Sequence, residues 1–269
     1  MQKTILITGA TDGIGLETAK MLVSAGHDVL LHGRNPAKLA EAQEALGAVS
    51  DGRAIDGYLA DLSRMTEVEA LAKAVAAKHT KLDVVINNAG ILRTPDTITE
   101  DGLDIRFAVN TLAPYLLTER LLPLLGTDGR VINLSSAAQA PVDLRALRGQ
   151  VQLAHMPAYA QSKLALTMWS RQMGLALGPD GPVIVAVNPG SMLGTKMVKE
   201  GFGAAGGDIR IGARILTRSA TEDAFAEASG QYFDNDASRF AAPHPDALDM
   251  DKSQAVVRAI EETLSRIAR

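Results

Sequence analysis

The sequence predicts an α/β fold, a doubly wound parallel sheet with helices on both faces. Short apolar runs alternate with segments of helical length along most of the chain. Strands this apolar are buried on both sides, as in a parallel sheet covered by helices. The length of 269 residues suits one α/β domain, so residues 1–269 are expected to form a single unit.

The strands and helices follow one another in a regular order. The predicted strands are "TILIT", "DVLLH", "DGYLA", "LDVVINN", "RVINLSS" and "VIVAVNPG". Helix-length segments separate them, including "AKLAEAQEAL", "EVEALAKAVAA" and the region from Asp101 to Leu125. After Gly190 the alternation stops, and "SGQYF" is predicted as one last strand before a final helix, "KSQAVVRAIEETLSRI".

Polar and glycine-rich clusters follow the predicted strands directly. Successive strand and helix units with right-handed crossovers give a doubly wound sheet, and such sheets bind ligands beyond the carboxyl ends of their strands. The clusters are "TGATDGIG", "HGRN", "ADLS", "NNAG", "LSSA" and "NPGS". The sequence therefore predicts a ligand site along one edge of the sheet.

Composition argues against several classes of partner. The chain has 27 basic and 31 acidic residues, a net charge of −4 and no basic run, so nucleic acid is not an expected partner. It has no cysteine and five scattered histidines, so we expect no metal site. With no apolar run long enough to span a bilayer and none typical of a signal peptide, we predict a cytoplasmic protein.

The segment "TGATDGIG" lies between the first predicted strand and the first helix. Glycines there allow a sharp turn and a close approach of the backbone to a pyrophosphate, while the helix N-terminus supplies amide donors. Gly9 is expected to make the turn, Gly13 to admit the phosphate and Gly15 to allow close packing. A tight turn without a ligand is the alternative. The position of the motif favours dinucleotide binding.

The end of the second strand bears on the choice of cofactor. An acidic residue about twenty positions after the glycine turn is typical of NAD binding, whereas an arginine there accepts a 2′-phosphate. This chain has Arg34 and Asn35 there and no carboxylate, which favours NADP(H) over NAD(H). Asp12 would be unfavourable close to that phosphate. A solvated Arg34 with no ligand is the alternative.

Tyr159 and Lys163 lie four residues apart in "PAYAQSK". Residues at this spacing share one face of an α-helix, so the ammonium group is expected near the phenol. By itself the spacing is more typical of ordinary neighbours on a helix surface. A cation about 4 Å away contributes on the order of 4 kcal/mol, enough to lower a phenol pKa toward neutrality.

These motifs, in this order, resemble those of the short-chain dehydrogenase/reductase family, and the match covers most of the chain. The motifs that carry the resemblance are "TGATDGIG", Asp61 in "ADLS", "NNAG", Asn110 in "FAVN", Ser136 in "NLSS", "YAQSK" and "NPG". The resemblance implies a Rossmann-like single domain and an oxidoreductase. It also implies a catalytic tetrad of Asn110, Ser136, Tyr159 and Lys163.

The resemblance also assigns roles to these residues. Tyr159 would act as general acid, Ser136 would bind the substrate oxygen, Lys163 would hold the ribose, and Asn110 would position a water. Ser136 is preferred to Ser135 because the catalytic serine of the family is typically the last of the pair. The implied cofactor-binding residues are Gly9, Thr11, Asp12, Gly13, Ile14, Gly15, Arg34, Asn35, Asp61, Leu62, Asn88, Ala89, Gly90, Tyr159, Lys163, Pro189, Gly190 and Thr195.

Two segments are expected to cover the substrate. Twenty-two residues separate Ser136 from Tyr159, an insertion that resembles the retinol-dehydrogenase-like branch, as does "SGQYF". The second segment lies in the region of about residues 191–230 and includes a glycine cluster, 201–207, that is either a lid or a loose surface loop. Both segments are rich in Ala, Leu, Met and Val, which favours an apolar aldehyde or ketone and its alcohol. The alternative is that these residues pack on each other and on a partner subunit.

Other functions are weighed against this one. A non-catalytic NADP(H)-binding regulator or scaffold would need the glycine turn but not the tetrad. A nucleotide-sugar epimerase usually has a larger C-terminal domain than this length allows. The family resemblance further implies a homodimer or homotetramer.

Overall fold

The computed structural model describes residues 1–50 and 52–268, and it confirms the predicted α/β fold. Within the described residues, eight strands form one sheet in the order β3-β2-β1-β4-β5-β6-β7-β8. The strands are β1 (Thr4–Ile7), β2 (Asp28–Gly33), β3 (Gly57–Leu59), β4 (Leu82–Asn87), β5 (Leu125–Leu134), β6 (Val183–Asn188), β7 (Tyr232–Asp234) and β8 (Arg239–Ala241). Strands β1 to β7 pair in parallel, and β8 runs antiparallel to β7.

Helices connect the strands and lie against the sheet. They are α1 (Gly13–Ser24), α2 (Pro36–Gly47), α3 (Met65–Lys78), α4 (Ile105–Phe107), α5 (Ala113–Leu121), α6 (Leu144–Leu147), α7 (His155–Leu177), α8 (Lys196–Phe202), α9 (Arg210–Thr221), α10 (Pro245–Leu248) and α11 (Met250–Ile267). A π-turn, Ala108–Leu112, joins α4 to α5. In the part of the chain that the structure describes, no helix is long and apolar enough to cross a membrane.

The sheet separates two apolar layers. Residues of β1, β2, β4 and β6 that point to one face pack with α1, α2 and α9. The other face packs with α3, α5, α7 and α11, and Trp169 of α7 is completely buried there. The central strands β1, β4 and β6 are therefore packed on both faces, which keeps the loops at their carboxyl ends in fixed relative positions.

The insertion after Ser136 differs from its expected role. Only its first two residues, Ala137 and Ala138, line the cavity at the carboxyl edge of the sheet. Farther on, Leu147 of α6 is fully buried in the core layer, and Arg148 forms a 2.8 Å ion pair with Glu262 of α11. Contrary to expectation, the insertion therefore does not line the cavity over its whole length, because α6 packs against the C-terminal helix α11 instead.

Candidate active site

One cavity of about 900 Å³ opens where the parallel strands end. Each of the six polar clusters that follow a predicted strand contributes to its wall. The predicted site residues that line it are Gly9, Thr11, Asp12, Gly13, Ile14, Arg34, Asn35, Asp61, Leu62, Asn88, Ala89, Gly90, Ser136, Tyr159, Lys163, Pro189, Gly190 and Thr195. The structure thus brings together segments that are far apart in the sequence, as expected for a doubly wound sheet.

The glycine turn after β1 leaves no room for larger residues. Gly9 has a φ of +64°, and a Cβ there would lie 2.9 Å from the Cα of Ala89. A Cβ on Gly15 would lie 2.3 Å from the carbonyl oxygen of Gly9, so Gly15 packs behind the turn and does not line the cavity. Gly13, at φ +55°, begins α1 at the cavity wall. This cradle fits a pyrophosphate bound to the helix N-terminus.

His32, at the end of β2, braces this turn, and the sequence patterns do not single it out. Its Nδ1 accepts a hydrogen bond of 3.2 Å from the amide of Gly9, and its Nε2 lies 3.0 Å from the carbonyl oxygen of Ala60. A carbonyl can only accept, so the proton is on Nε2 and the ring is neutral. Burial lowers the pKa of His32, which favours this same neutral form.

The mouth of the cavity beside β2 carries a group of charged side chains. Arg34 is exposed, and Asn35 caps α2 by accepting a 3.1 Å hydrogen bond from the amide of Lys38. Lys38, which the sequence patterns miss, forms a 3.0 Å ion pair with Asp12 across the mouth. The hydrogen bond that Lys38 donates to Asp12 lowers the pKa of the Asp12 carboxyl. Two cations, one of them already paired, therefore face the region where a 2′-phosphate is expected.

Asp61 and Leu62 line the cavity after β3. Oδ1 of Asp61 accepts hydrogen bonds from the amide and the hydroxyl of Ser63, at 2.9 and 2.8 Å. These bonds fix the carboxylate in a local turn, while its second oxygen makes no hydrogen bond within the described residues. Asp61 is thus positioned to accept a hydrogen bond from a ligand.

Tyr159 and Lys163 lie one turn apart on α7. The ammonium of Lys163 is 5.8 Å from the centroid of the Tyr159 ring and donates a 2.7 Å hydrogen bond to the carbonyl oxygen of Leu134. Burial lowers the pKa of Lys163 to about 8. Burial raises the pKa of Tyr159, and a hydrogen bond with Ser136 acts in the opposite direction. The phenol pKa is therefore shifted upward, opposite to the expectation that Lys163 lowers it.

Ser135 and Ser136 differ in their surroundings. The hydroxyl of Ser135 is buried and lies 2.7 Å from the hydroxyl of Thr167 on α7. The hydroxyl of Ser136 lies at the cavity wall and accepts a 3.1 Å hydrogen bond from the amide of Ala138. With Tyr159 beside it, Ser136 is the serine placed to contact a ligand.

Asn110 lies behind the cavity wall in the π-turn. Its amide group exchanges two 2.9 Å hydrogen bonds with the backbone of Ile91 and donates a third to Ser162 at 3.0 Å. Gly90 separates it from Lys163, since a Cβ on Gly90 would lie 3.3 Å from Nζ of Lys163 and 3.4 Å from Oδ1 of Asn110. Asn110 thus fixes the loop after β4 next to the lysine.

Residues from Ser191 to Val198 line one side of the cavity, and the segment from Ser191 to Gly207 is called the cover segment below. Leu193 and Gly207 form a bridge, with hydrogen bonds of 2.7 Å from Gly194 to Gly207 and 2.8 Å from Gly207 to Met192. A Cβ on Gly201 of α8 would lie 2.7 Å from Leu92 at the cavity wall, so α8 packs closely there. The glycine cluster therefore belongs to a folded segment, although none of its described residues lines the cavity. Helix α9, which follows it, packs against α1 in the core.

The N-terminus of α8 faces the glycine turn. Thr195 caps this helix by accepting a 3.2 Å hydrogen bond from Val198. Its Cγ2 would lie 3.9 Å from a Cβ on Gly13, so the two helix N-termini approach each other across the cavity. Apolar side chains complete the wall, namely those of Ile91, Leu92, Val109, Met192, Leu193, Met197 and Val198.

Comparison with known proteins agrees with this geometry. A family model described as short chain dehydrogenase matches residues 3–205. Human retinol dehydrogenase 13 is 30% identical over 266 residues, which cover 92% of this chain and 80% of that protein.

Solved structures share the whole architecture. The crystal structure of an uncharacterized protein from Mycobacterium paratuberculosis aligns with a TM-score of 0.80 at 26% identity, covering 98% of this chain and 94% of that chain. A short chain dehydrogenase from Escherichia coli CFT073, complexed with NADPH, aligns with a TM-score of 0.70 at 26% identity over 87% of this chain and 96% of that one. From the matched residues and these relatives, the chain belongs to the short-chain dehydrogenase/reductase family, in its retinol-dehydrogenase-like branch, and is an NAD(P)-dependent oxidoreductase.

Proposed function

We propose that the protein interconverts an apolar aldehyde or ketone and its alcohol, with NADP(H) as the preferred cofactor and Tyr159 as the general acid or base. The observation that carries this proposal is the placement of Tyr159, Lys163 and Ser136 on the wall of the same cavity as the glycine turn. A nicotinamide cofactor supplies or accepts the hydride.

The chain's own groups suit the reducing direction. An ordinary tyrosine has a pKa of about 10 and burial raises the pKa of Tyr159, so its phenol is protonated at neutral pH and holds a proton that it is able to donate to the substrate oxygen. Ser136 donates a hydrogen bond to the same oxygen and stabilises its developing charge. Lys163 keeps most of its positive charge at neutral pH, which favours binding to ribose hydroxyls.

The proposed substrate class follows from the cover. Apolar side chains line the same cavity as Tyr159, namely those of Ile91, Leu92, Val109, Met192, Leu193, Met197 and Val198. Burying apolar substrate surface there contributes about 25 cal/mol for each Å² removed from water. This wall, together with the retinol dehydrogenase relative, favours retinoids and other long apolar carbonyl compounds.

The preference for NADP(H) rests on Arg34 and Lys38 at the cavity mouth, and the E. coli relative that binds NADPH supports it. NAD(H) is the alternative cofactor. The cytoplasmic location and the homodimer or homotetramer stay predictions.

The test is consumption of NADPH and NADH with a panel of aldehydes, ketones and retinoids, for the wild type and for Tyr159→Phe. We expect turnover with NADPH and a loss of about a hundredfold or more in kcat for the variant. Tyr58→Phe is the matched control, because Tyr58 lies on β3 and bonds to His79 away from the cavity. Tight NADPH binding with no turnover of any substrate would instead favour a non-catalytic regulator.

A further inference from the structure

The turn between β7 and β8, residues 235–238, contacts the loop that follows β6. This turn lies beyond residues 3–205, the part that the family model matches. It follows the predicted strand "SGQYF", which has no assigned role. Residues 188–191, which are the last residue of β6 and the start of the loop after it, line the cavity and are called the loop 188–191 below. Contacts from the turn therefore bear on the position of cavity-lining residues.

Asp236 makes most of the side-chain contacts between the two. Its Oδ1 accepts a 2.8 Å hydrogen bond from the amide of Ser191, and its Oδ2 accepts a 2.6 Å hydrogen bond from the Ser191 hydroxyl. The same Oδ2 accepts a 3.0 Å hydrogen bond from the side-chain amide of Asn188. One carboxylate therefore joins the first and last residues of the loop.

Strands β7 and β8 and the turn between them form a hairpin, and two other residues of this hairpin also contact the loop. Asp234 accepts a 2.9 Å hydrogen bond from the same amide group of Asn188. Asn235 donates from its backbone to the carbonyl oxygen of Asn188 and from its side chain to that of Pro189, at 3.2 and 2.9 Å. The loop is thus bound along its length.

The same hairpin reaches the loop that carries Ser136. The hydroxyl of Tyr232, a largely buried residue of β7, donates a 3.3 Å hydrogen bond to the carbonyl oxygen of Ser136. The cover segment begins at Ser191 and closes on itself at Leu193 and Gly207. A contact that fixes Ser191 therefore also fixes residues 191–193, the stem of the cover segment, which lead into this bridge.

We propose that Asp236 is a positioning residue, which holds the loop 188–191 and the stem of the cover segment in the geometry that binds the cofactor. This proposal rests on the proposed function, because it concerns the same cavity. The carboxylate accepts from all three groups at once, and two of them, the backbone amide of Ser191 and the side-chain amide nitrogen of Asn188, can only donate. An asparagine in its place would turn one amide nitrogen toward these donors, and a hydrogen bond to a charged group would be lost.

The first experiment compares Asp236→Asn with the wild type in NADPH binding and in kinetics. We expect the Kd and KM for NADPH to rise about tenfold, and kcat to change by less than about threefold. Asp251→Asn, an exposed aspartate on α11 far along the chain, is the matched control and should keep wild-type values. Equal Kd values for Asp236→Asn and wild type would overturn the proposal.

A second readout does not depend on the cofactor. Lys196 and Lys199 of the cover are exposed to trypsin, and cleavage there requires the cover to open. We expect trypsin to cut Asp236→Asn at these lysines several times faster than wild type, while the circular dichroism spectra stay alike. If the wild type binds no NADPH, the proposed function fails, whereas equal proteolysis rates would remove the role of Asp236.

A variant on the other side of the contact guards against a folding defect at Asp236. Ser191→Ala removes the hydroxyl donor but keeps the amide donor, so its effect on Kd should be smaller than that of Asp236→Asn. The Kd of the double variant, Ser191→Ala with Asp236→Asn, should lie within about twofold of the Kd of Asp236→Asn alone. The reason is that Asp236→Asn has already lost the contact with the Ser191 hydroxyl. Fully additive effects would contradict the proposed contact.

Discussion

Nζ of Lys163 donates a 2.7 Å hydrogen bond to the carbonyl oxygen of Leu134, and this contact ties α7 to the end of β5. The lysine is almost fully buried, and its pKa of about 8 reflects burial alone. The charge of Lys163 is therefore expected to change within a pH range that is easy to measure.

The affinity for NADPH should fall as the pH rises through about 8, the pKa of Lys163. Below this pH Lys163 is protonated and able to donate to ribose hydroxyls, and above it the charge is lost. The measurement is the Kd for NADPH from mildly acidic to alkaline pH. Lys163→Met should bind weakly with a flat profile, whereas Tyr159→Phe should keep the wild-type pH dependence. A flat wild-type profile would contradict the assignment of this charge to binding.

The ion pair between Asp12 and Lys38 should reduce the preference for NADPH. Asp12 places a negative charge at the cavity mouth and engages the cation nearest to it. Asp12→Asn should therefore lower the Kd for NADPH about threefold and leave that for NADH nearly unchanged.

Lys38→Ala and Arg34→Asp should have the opposite effect, raising the Kd for NADPH about tenfold relative to NADH. Titration of each variant with both cofactors measures the ratio. Glu44→Gln, an exposed change farther along α2, serves as the control. Equal changes in Kd for NADPH and NADH would contradict the assignment of Arg34 and Lys38 to binding of a 2′-phosphate.

His32 should contribute to stability through the two hydrogen bonds of its ring. His32→Ala leaves the amide of Gly9 and the carbonyl of Ala60 without these partners, which costs about 1–3 kcal/mol in the free energy of unfolding. His32→Gln retains an acceptor and a donor and should lose less. Urea denaturation measures both, and an unchanged midpoint for His32→Ala would show that the contacts contribute nothing.

Removing one partner of the buried ion pair between Asp104 and Arg106 should lower the free energy of unfolding. The two groups lie 2.5 Å apart, both almost fully buried, and Arg106 also donates to Nδ1 of His155 at 3.0 Å. Asp104→Asn keeps the cap of α4 but leaves a buried cation, so the free energy of unfolding should fall by about 3–5 kcal/mol.

Arg106→Met in the same background should recover part of that loss, because it removes the unpaired charge. Glu17→Gln, which breaks an exposed pair with Lys20, should cost less than about 1 kcal/mol. Denaturant unfolding of the three variants gives the comparison. A double variant less stable than Asp104→Asn would contradict the buried-charge explanation.

Continuous apolar runs such as "TILIT" and "VIVAVN" are sufficient to predict the central parallel strands, because these strands are buried on both faces. The antiparallel strand β8, Arg239–Ala241, escapes prediction because "RFA" begins with a charged residue and contains no apolar run like those of the predicted strands. "SGQYF" is therefore not the last strand, although the sequence predicts that it is.

The site is predictable where glycines and polar residues follow a strand directly. Lys38 escapes this pattern because it reaches the cavity from the first turn of α2, and His32 because a lone histidine in a strand gives no motif. The insertion is misread because its apolar residues indicate burial without indicating against which surface. The catalytic roles of the tetrad stay predictions.

The C-terminal helix has a consequence for the order in which the molecule is completed during synthesis. Val256, Ala259 and Ile260 of α11 pack in the same layer as Trp169, and Glu261 accepts a 3.0 Å hydrogen bond from the Tyr115 hydroxyl. The helix that carries the candidate acid therefore stays partly uncovered on the ribosome until residues 250–267 emerge. A nascent chain would then hold every residue of the candidate tetrad before it has a stable scaffold for them.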